Sequence, residues 1–276
     1  MKSVFVFISA IMLLSLAALA SASYVNITEP YRVTIMQNGS LYLGKVGPGQ
    51  TFYVTISAAT TNNTGAPVAL GWDELFASSL PSGWLTQNSP LYGTYPSVKV
   101  TVAAQAPNGT YTFNLTAVNF GNYSKVGAIR MRAYVNVTPN VFNLSVSPSM
   151  ISAGPGQPYP VYVTINNTGV SDSPFVITVH GLPGWNISKT VIALHSTVGQ
   201  FAYPIYENEP NVYHMQVYVS SISSPLIYKQ SNITLTTRAT LASDYSALGQ
   251  GTLIFPIVYA PAYSVMYIIS LIARHV

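Results

Sequence analysis

The feature that most restricts this chain is a period-two alternation of apolar and polar side chains, recurring along its middle. Successive side chains of an extended strand point to opposite faces, so such a run buries one face and wets the other. Phe52, Val54 and Ile56 alternate with Thr51, Tyr53, Thr55 and Ser57, and Val98, Val100 and Val102 with Lys99 and Thr101. Tyr111, Phe113, Leu115 and Ala117 alternate with Thr112, Asn114 and Thr116. Val161, Val163 and Ile165 repeat the pattern, as do Val176, Thr178 and His180 against Ile177 and Val179. No stretch between the two ends keeps a helical period. Turn clusters such as Gly47-Pro48-Gly49, Ala106-Pro107-Asn108-Gly109 and Gly154-Pro155-Gly156 punctuate the runs. Short strands closed by frequent turns predict an all-β fold made of sandwiches.

The pattern occurs twice. Gly47-Pro48-Gly49-Gln50 precedes a strand, then Asn62-Asn63-Thr64, then Leu80-Pro81-Ser82-Gly83-Trp84. The second half answers with Gly154-Pro155-Gly156-Gln157, Asn166-Asn167-Thr168-Gly169 and Leu182-Pro183-Gly184-Trp185. Markers in one order at similar spacing indicate an internal repeat. In the first half Ala106-Pro107-Asn108-Gly109-Thr110-Tyr111 closes the series. In the second, Asn211-Val212-Tyr213-His214 stands where Pro-x-Gly-x-Tyr is expected. This succession of Pro-Gly turn, Asn-Thr-Gly loop and Pro-Gly-Trp turn resembles the immunoglobulin-like NEW3 module. It is also similar in style to CARDB and other bacterial and archaeal surface repeats. The resemblance covers most of residues 40–120 and, less completely, 148–222. It implies tandem seven-stranded sandwiches used as spacers, stalks or accessory modules of exported proteins, and it carries no catalytic residues. Trp84 and Trp185, each just after a tight turn, are expected as core plugs between the sheets.

Both ends are apolar. Lys2, the run from Val4 to Leu19 and Ala20-Ser21-Ala22 read as a signal peptide over residues 1–22. Leu253 to Ala273 holds no charged residue, is about long enough to cross a bilayer as one helix, and is followed by Arg274 and His275. Pro256 and Pro261 oppose a regular helix, although membrane helices tolerate proline. Tyr259, Tyr263 and Tyr267 would share one of its faces. The expected organisation is two tandem immunoglobulin-like sandwiches (residues 23–138 and 139–240), a juxtamembrane linker (241–252), one C-terminal transmembrane helix (253–273) and a cytoplasmic tail (274–276).

Composition matters because only 7% of residues are charged while 49% are hydrophobic. Soluble proteins of ordinary usage carry about a quarter charged residues. The net charge of +4 is scattered, with no Lys/Arg run, which argues against nucleic acid. The absence of cysteine excludes disulfides, thiolate nucleophiles and Cys-based metal sites, and in an exported chain of this size it leans prokaryotic.

Asn-x-Ser/Thr occurs at Asn26, Asn38, Asn62, Asn108, Asn114, Asn122, Asn136, Asn143, Asn166, Asn186 and Asn232, eleven of eighteen asparagines. Ser and Thr make up 54 of 276 residues. Chance alone would give roughly three or four such triplets at that frequency. Asn114, Asn143 and Asn232 fall on the polar side of their alternations, so sugars there would point outward. An alternating polar face also produces Asn-apolar-Thr, so register does not separate the two origins. Enrichment together with a signal peptide points to N-glycosylation, in which a sugar coat replaces charge. By association, this combination fits an archaeal envelope.

Residues able to support chemistry are sparse. Asp73-Glu74 would point to opposite faces of a strand, and Glu207-Asn208-Glu209 reads as a solvated loop with too few oxygens for calcium. His180, His195 and His214 lack metal-ligand spacing. No nucleophile elbow, phosphate loop or dinucleotide fingerprint is present, so the reading assigns no catalytic, metal or cofactor residues. Tyrosine is abundant, at 20 residues. Tyr203, Tyr206 and Tyr213, in a cluster that includes Tyr218 and Tyr228, are candidates for an adhesive or glycan-binding surface, although tyrosine is also an ordinary strand residue. The expectation is a single-pass membrane protein with most of the chain outside the cell, a glycosylated stalk or envelope component. The alternatives are a module binding envelope glycans, surface-layer proteins or other surface proteins, and an accessory subunit of a membrane complex docking through its C-terminal helix.

Overall fold

The computed structural model describes residues 24–58, 60–61, 67–68, 71–91, 93–120, 127–184 and 187–238. Outside them lie the expected signal peptide, residues 239–240, the whole juxtamembrane linker (241–252), the membrane span and the tail, together with Trp185, Asn62, Asn122 and Asn186. Among the described residues no helix is long and apolar enough to cross a membrane. The chain divides into two compact units at Thr138/Pro139.

The first unit runs β1 (Tyr24–Glu29), β2 (Val33–Met36), β3 (Ser40–Val46), β4 (Thr51–Ile56), the short pair β5 (Thr60–Thr61) and β6 (Pro67–Val68), β7 (Glu74–Ser78), β8 (Leu85–Gln87), β9 (Ser97–Thr101), β10 (Gly109–Val118) and β11 (Ala128–Val137). One sheet is ordered β2-β1-β4-β9-β8 and the other β3-β11-β10-β7, with β3 parallel to β11. The second unit runs β12 (Phe142–Ser147), β13 (Met150–Ala153), β14 (Tyr159–Asn167), β15 (Ser173–His180), β16 (Ile187–Ala193), β17 (Val198–Ile205), β18 (Val212–Ser221) and β19 (Ser224–Thr237). Its sheets are β12-β14-β17 and β13-β19-β18-β15-β16, with β13 parallel to β19. In immunoglobulin lettering the units are ABED, with β2 added beside A, against A′GFC and ABE against A′GFCC′, so both are immunoglobulin-like sandwiches.

The alternation expected from sequence is the alternation observed. Phe52, Val54 and Ile56 of β4, Val98 and Val100 of β9, and Phe113, Leu115 and Ala117 of β10 are all buried between the sheets. In the second unit Val161, Val163 and Ile165 of β14 face Ile177 and Val179 of β15 and Met215, Val217 and Val219 of β18 in one core. In antibody domains a B–F disulfide joins the sheets, its second cysteine two residues after a tyrosine at the start of F. Here Phe113 holds that place after Tyr111. Its ring lies 6.3 Å from Phe52 on strand B, tilted by 47°. Trp84 is buried beside both Phe113 (6.3 Å) and Tyr111 (5.5 Å), as a core plug should be. Phe142 and Phe175, 4.7 Å apart, do similar work in the second unit.

The repeated Gly-Pro-Gly-Gln is a closed circuit. Pro48 and Gly49 occupy the central positions of a turn in which Gln50 N–H donates to the Gly47 carbonyl (3.2 Å). The backbone of Gly49 has φ of 72°, as a type II turn requires at that position, and Gly156 repeats it at 72°. The Gln50 side-chain oxygen then accepts from Gly47 N–H at 2.7 Å, and Gln157 does the same for Gly154 at 3.2 Å. The turn is also tied across its sheet: Gly49 N–H donates to the Ala103 carbonyl, and Gly156 N–H to that of Glu207. Gln50 is buried, so truncation leaves a desolvated N–H without its acceptor. Gln50→Ala is expected to lower unfolding free energy by about 1–3 kcal/mol, measured by denaturant titration.

Candidate functional site

The sequons are distributed over strand faces and turns. Asn38 lies in the β2–β3 turn with φ of 62°, Asn108 in the turn before β10, Asn143 on β12 and Asn232 on β19, all four exposed. Asn26, Asn114, Asn136 and Asn166 are partly exposed on β1, β10, β11 and β14. Ile27, Leu115, Val137 and Ile233, the middle residues of four triplets, point the other way and are buried. Only Asn119 and Asn167 are buried among the described asparagines, and neither begins a sequon. Asn167 is a loop staple: its amide donates to the carbonyls of Ser171 (2.9 Å) and Ala193 (3.0 Å), and its oxygen accepts from Gly169 N–H (3.0 Å). Asn143 and Asn166 sit directly opposite one another across β12–β14. Lys229 reaches the Asn143 oxygen at 3.5 Å.

The candidate tyrosine surface is not assembled. Tyr203 is 4% exposed and Tyr213 6% exposed, both within the second core, leaving Tyr206 at 41% as the accessible member. Strand parity is the cause: Tyr213 shares its side of β18 with Met215, Val217 and Val219, and Tyr203 shares its side of β17 with Phe201 and Ile205. Reading the alternation through the tyrosines would have placed both inward. Tyr213 is a tyrosine corner, its hydroxyl donating to the Glu209 carbonyl at 3.0 Å. Tyr111 donates equivalently to the Pro107 carbonyl at 3.0 Å. The second copy thus keeps the hydrogen bond although its sequence departs from Pro-x-Gly-x-Tyr, because the acceptor is a backbone carbonyl four residues upstream in each. Burial, and then the carboxylates of Glu207 and Glu209, raise the Tyr213 pKa. Burial alone pushes Tyr203 up to about 12, and its hydroxyl has no hydrogen-bond partner among the described residues. Lys189 lies 5.4 Å from the centre of that ring. Tyr218 and Tyr228, outside the trio, stack at 5.5 Å with Tyr228 exposed.

Two of the aspartates serve loops. Asp73 accepts from Phe120 N–H at 2.6 Å. Asp172 accepts from both the backbone N–H and the Nδ1 of His195, each at 2.7 Å, which places the proton on Nδ1. This pair, 23 residues apart in sequence, is visible only in the fold. His214 pairs with Thr234 at 3.5 Å rather than with another ligand. Among the described residues no three His, Asp or Glu side chains group closely enough to hold a metal.

No family profile and no curated protein matches the sequence. Among solved structures, a chimeric titin Z1Z2 carrying a decorin peptide is similar over 80% of this chain and 100% of that chain, at 14% identity and a TM-score of 0.36. The titin tandem A164–A165 is similar over 80% and 100%, at 8% identity and 0.27. The D00–D0 domains of intimin are similar over 77% and 99%, at 10% identity and 0.25. The sandwich assignment rests on the strand order given above.

Tyr213→Phe removes the corner hydrogen bond and is expected to cost about 1 kcal/mol of stability, with Tyr111→Phe similar, by thermal or urea unfolding. Tyr203→Phe removes an unpaired buried hydroxyl and should be neutral or stabilising. Below pH ~10 the Tyr203 phenol is protonated in both folded and unfolded states; between that and about 12 the unfolded chain ionises first, so stability falls as pH rises. In Tyr203→Phe the slope of stability against pH in that alkaline window should be shallower than in the parent chain.

Proposed function

We propose that this chain is an exported, membrane-tethered envelope protein whose two sandwiches form a glycosylated stalk, with a structural rather than catalytic role. The NEW3-like identity of the modules, the signal peptide over residues 1–22 and the anchor over 253–273 belong to this reading. One observation carries it: every described sequon asparagine lies off the core, while the asparagines that are buried, Asn119 and Asn167, stand outside sequons. Sugars at these positions leave both cores and all ladder hydrogen bonds untouched. They also supply hydration to a surface that has little charge of its own, since only 7% of the residues are charged. Partners on this reading are the membrane, through the C-terminal segment, and neighbouring envelope glycans or surface-layer proteins. Sandwiches give reach, sugars give solubility and protease resistance, and the anchor fixes the site.

The test is intact mass and glycopeptide mapping of the protein extracted from native membranes. The expected result is a mature chain lacking residues 1–22, retained by membranes, with hexose-containing peptides at Asn38, Asn108, Asn143 and Asn232 first. Full-length, unmodified protein in the soluble interior of the cell would overturn it.

A further inference from the structure

The two units treat their sheet edges differently. In the first, strand E (β9) is covered by β8, with Leu85, Thr86 and Gln87 opposite Thr101, Val100 and Lys99. Strand C (β7) ends the other sheet. Its outward N–H groups are met by side chains: Leu75 N–H donates to Ser89 Oγ (2.9 Å) and Ala77 N–H to Asn88 Oδ1 (3.4 Å). In the second unit the segment following the Pro-Gly-Trp turn has crossed to the other sheet, where β16 pairs with C (β15). Among the described residues, strand E, here β17, therefore pairs with β14 alone and ends its sheet.

The register shows what this edge offers. The Thr197 carbonyl accepts from Asn167 N–H at 2.9 Å, so the odd-numbered residues of β17 bond to β14 and the even-numbered ones point away. Pro204, opposite Pro160, fits this parity, since neither has an N–H to give to the ladder. Val198, Gln200 and Ala202 thus present N–H and carbonyl groups outward, and Val198 is 64% exposed. Edge strands of this kind are templates for pairing unless charge, proline or a covering segment blunts them. The neighbouring edge strand β16 carries Lys189 on its core-facing side, one such blunting device. Val198–Ile205 contains no charged residue, and proline limits it only at Pro204.

We propose that β17 pairs antiparallel with β17 of a second copy of this chain. The strip is self-complementary about Gln200. A two-fold axis there sets Val198 against Ala202, Gln200 against Gln200 and Ala202 against Val198, each an outward-facing pair able to exchange N–H···O=C bonds. The central side chain is an amide, donor and acceptor at once, so it can bond to its own copy. A charged centre would repel itself. Ser196, with φ of 54°, and Pro204 terminate the pairing on either side. The product is a continuous sheet ordered β12-β14-β17-β17-β14-β12 whose outer face keeps Asn143 and Asn166 in solvent.

The cysteine-free chain makes the test direct. In the full-length protein in detergent, Gln200→Cys should yield a disulfide-linked dimer on mild oxidation, whereas Gln230→Cys, exposed on the opposite sheet, should not. Adding Ala202→Pro removes an outward N–H without touching the β14 ladder. It is expected to cut the cross-linked fraction by about tenfold or more at limiting concentration while leaving the thermal unfolding temperature near that of the parent. Should that variant unfold, cross-linking through Val198→Cys together with Ala202→Cys, which face one another across the axis, with Gln200→Lys replaces it, placing like charges face to face with the same expected loss. Equal cross-linking at positions 200 and 230, no dimer at all, or a dimer indifferent to both substitutions overturns the proposal. Glycan mapping is a separate readout, so the stalk reading and the edge pairing fail independently.

Discussion

Without cysteine, nothing covalent joins the two sheets of either unit, so each sandwich is held across its middle by the side chains that alternate inward. That constraint explains where the large residues sit. The Phe52–Phe113 contact occupies the cross-sheet position at which related architectures use a disulfide, and Trp84 packs against the same ring. Phe142 and Phe175 bridge the second unit. A ring contact of this sort stabilises by burial and dispersion and adds about 0.5–1.5 kcal/mol from its tilted geometry. Unlike a disulfide it leaves the unfolded chain unconstrained, so the fold depends on every strand keeping its register.

Register is held at the turns. Gln50 and Gln157 close the turn into strand B, and Tyr111 and Tyr213 close the turn into strand F. B and F lie in different sheets, so one clasp of each kind fixes each half of a unit. All four clasps end on backbone groups rather than on other side chains. This is why the second copy can lose the Pro-x-Gly-x-Tyr wording and keep the bond. Where the copies truly diverge is after the Pro-Gly-Trp turn. One segment pairs with E and the other with C, which moves the uncovered edge from one sheet to the other.

The surface follows from the same alternation. Because one residue in two must face outward and few are charged, Asn, Ser, Thr and Tyr fill the outer faces, and Asn-apolar-Thr arises on a single strand face by construction. The burial of Asn119 and Asn167 distinguishes two uses of one residue type. These two spend their amides on backbone carbonyls, Asn119 on that of Gly71 and Asn167 on those of Ser171 and Ala193, whereas the described sequon asparagines keep theirs free of the core.

The sequence by itself determined the strands, their inward faces and the doubled turn markers. Period-two patterning and Pro-Gly turns are local consequences of backbone geometry and need no partner to be read. Phe52, Val54 and Ile56, or Val161, Val163 and Ile165, are buried as their spacing requires. Tyr203 and Tyr213 were misplaced as surface residues because tyrosine is stable on either face, and only the parity shared with Phe201, Ile205 and Met215 assigns it. The tertiary structure alone decided which strands are neighbours: the choice of E or C as partner for β8 and β16, the meeting of Asp172 with His195, and the exposed edge at β17. Those outcomes depend on contacts between residues far apart in the chain, where no local period carries the information.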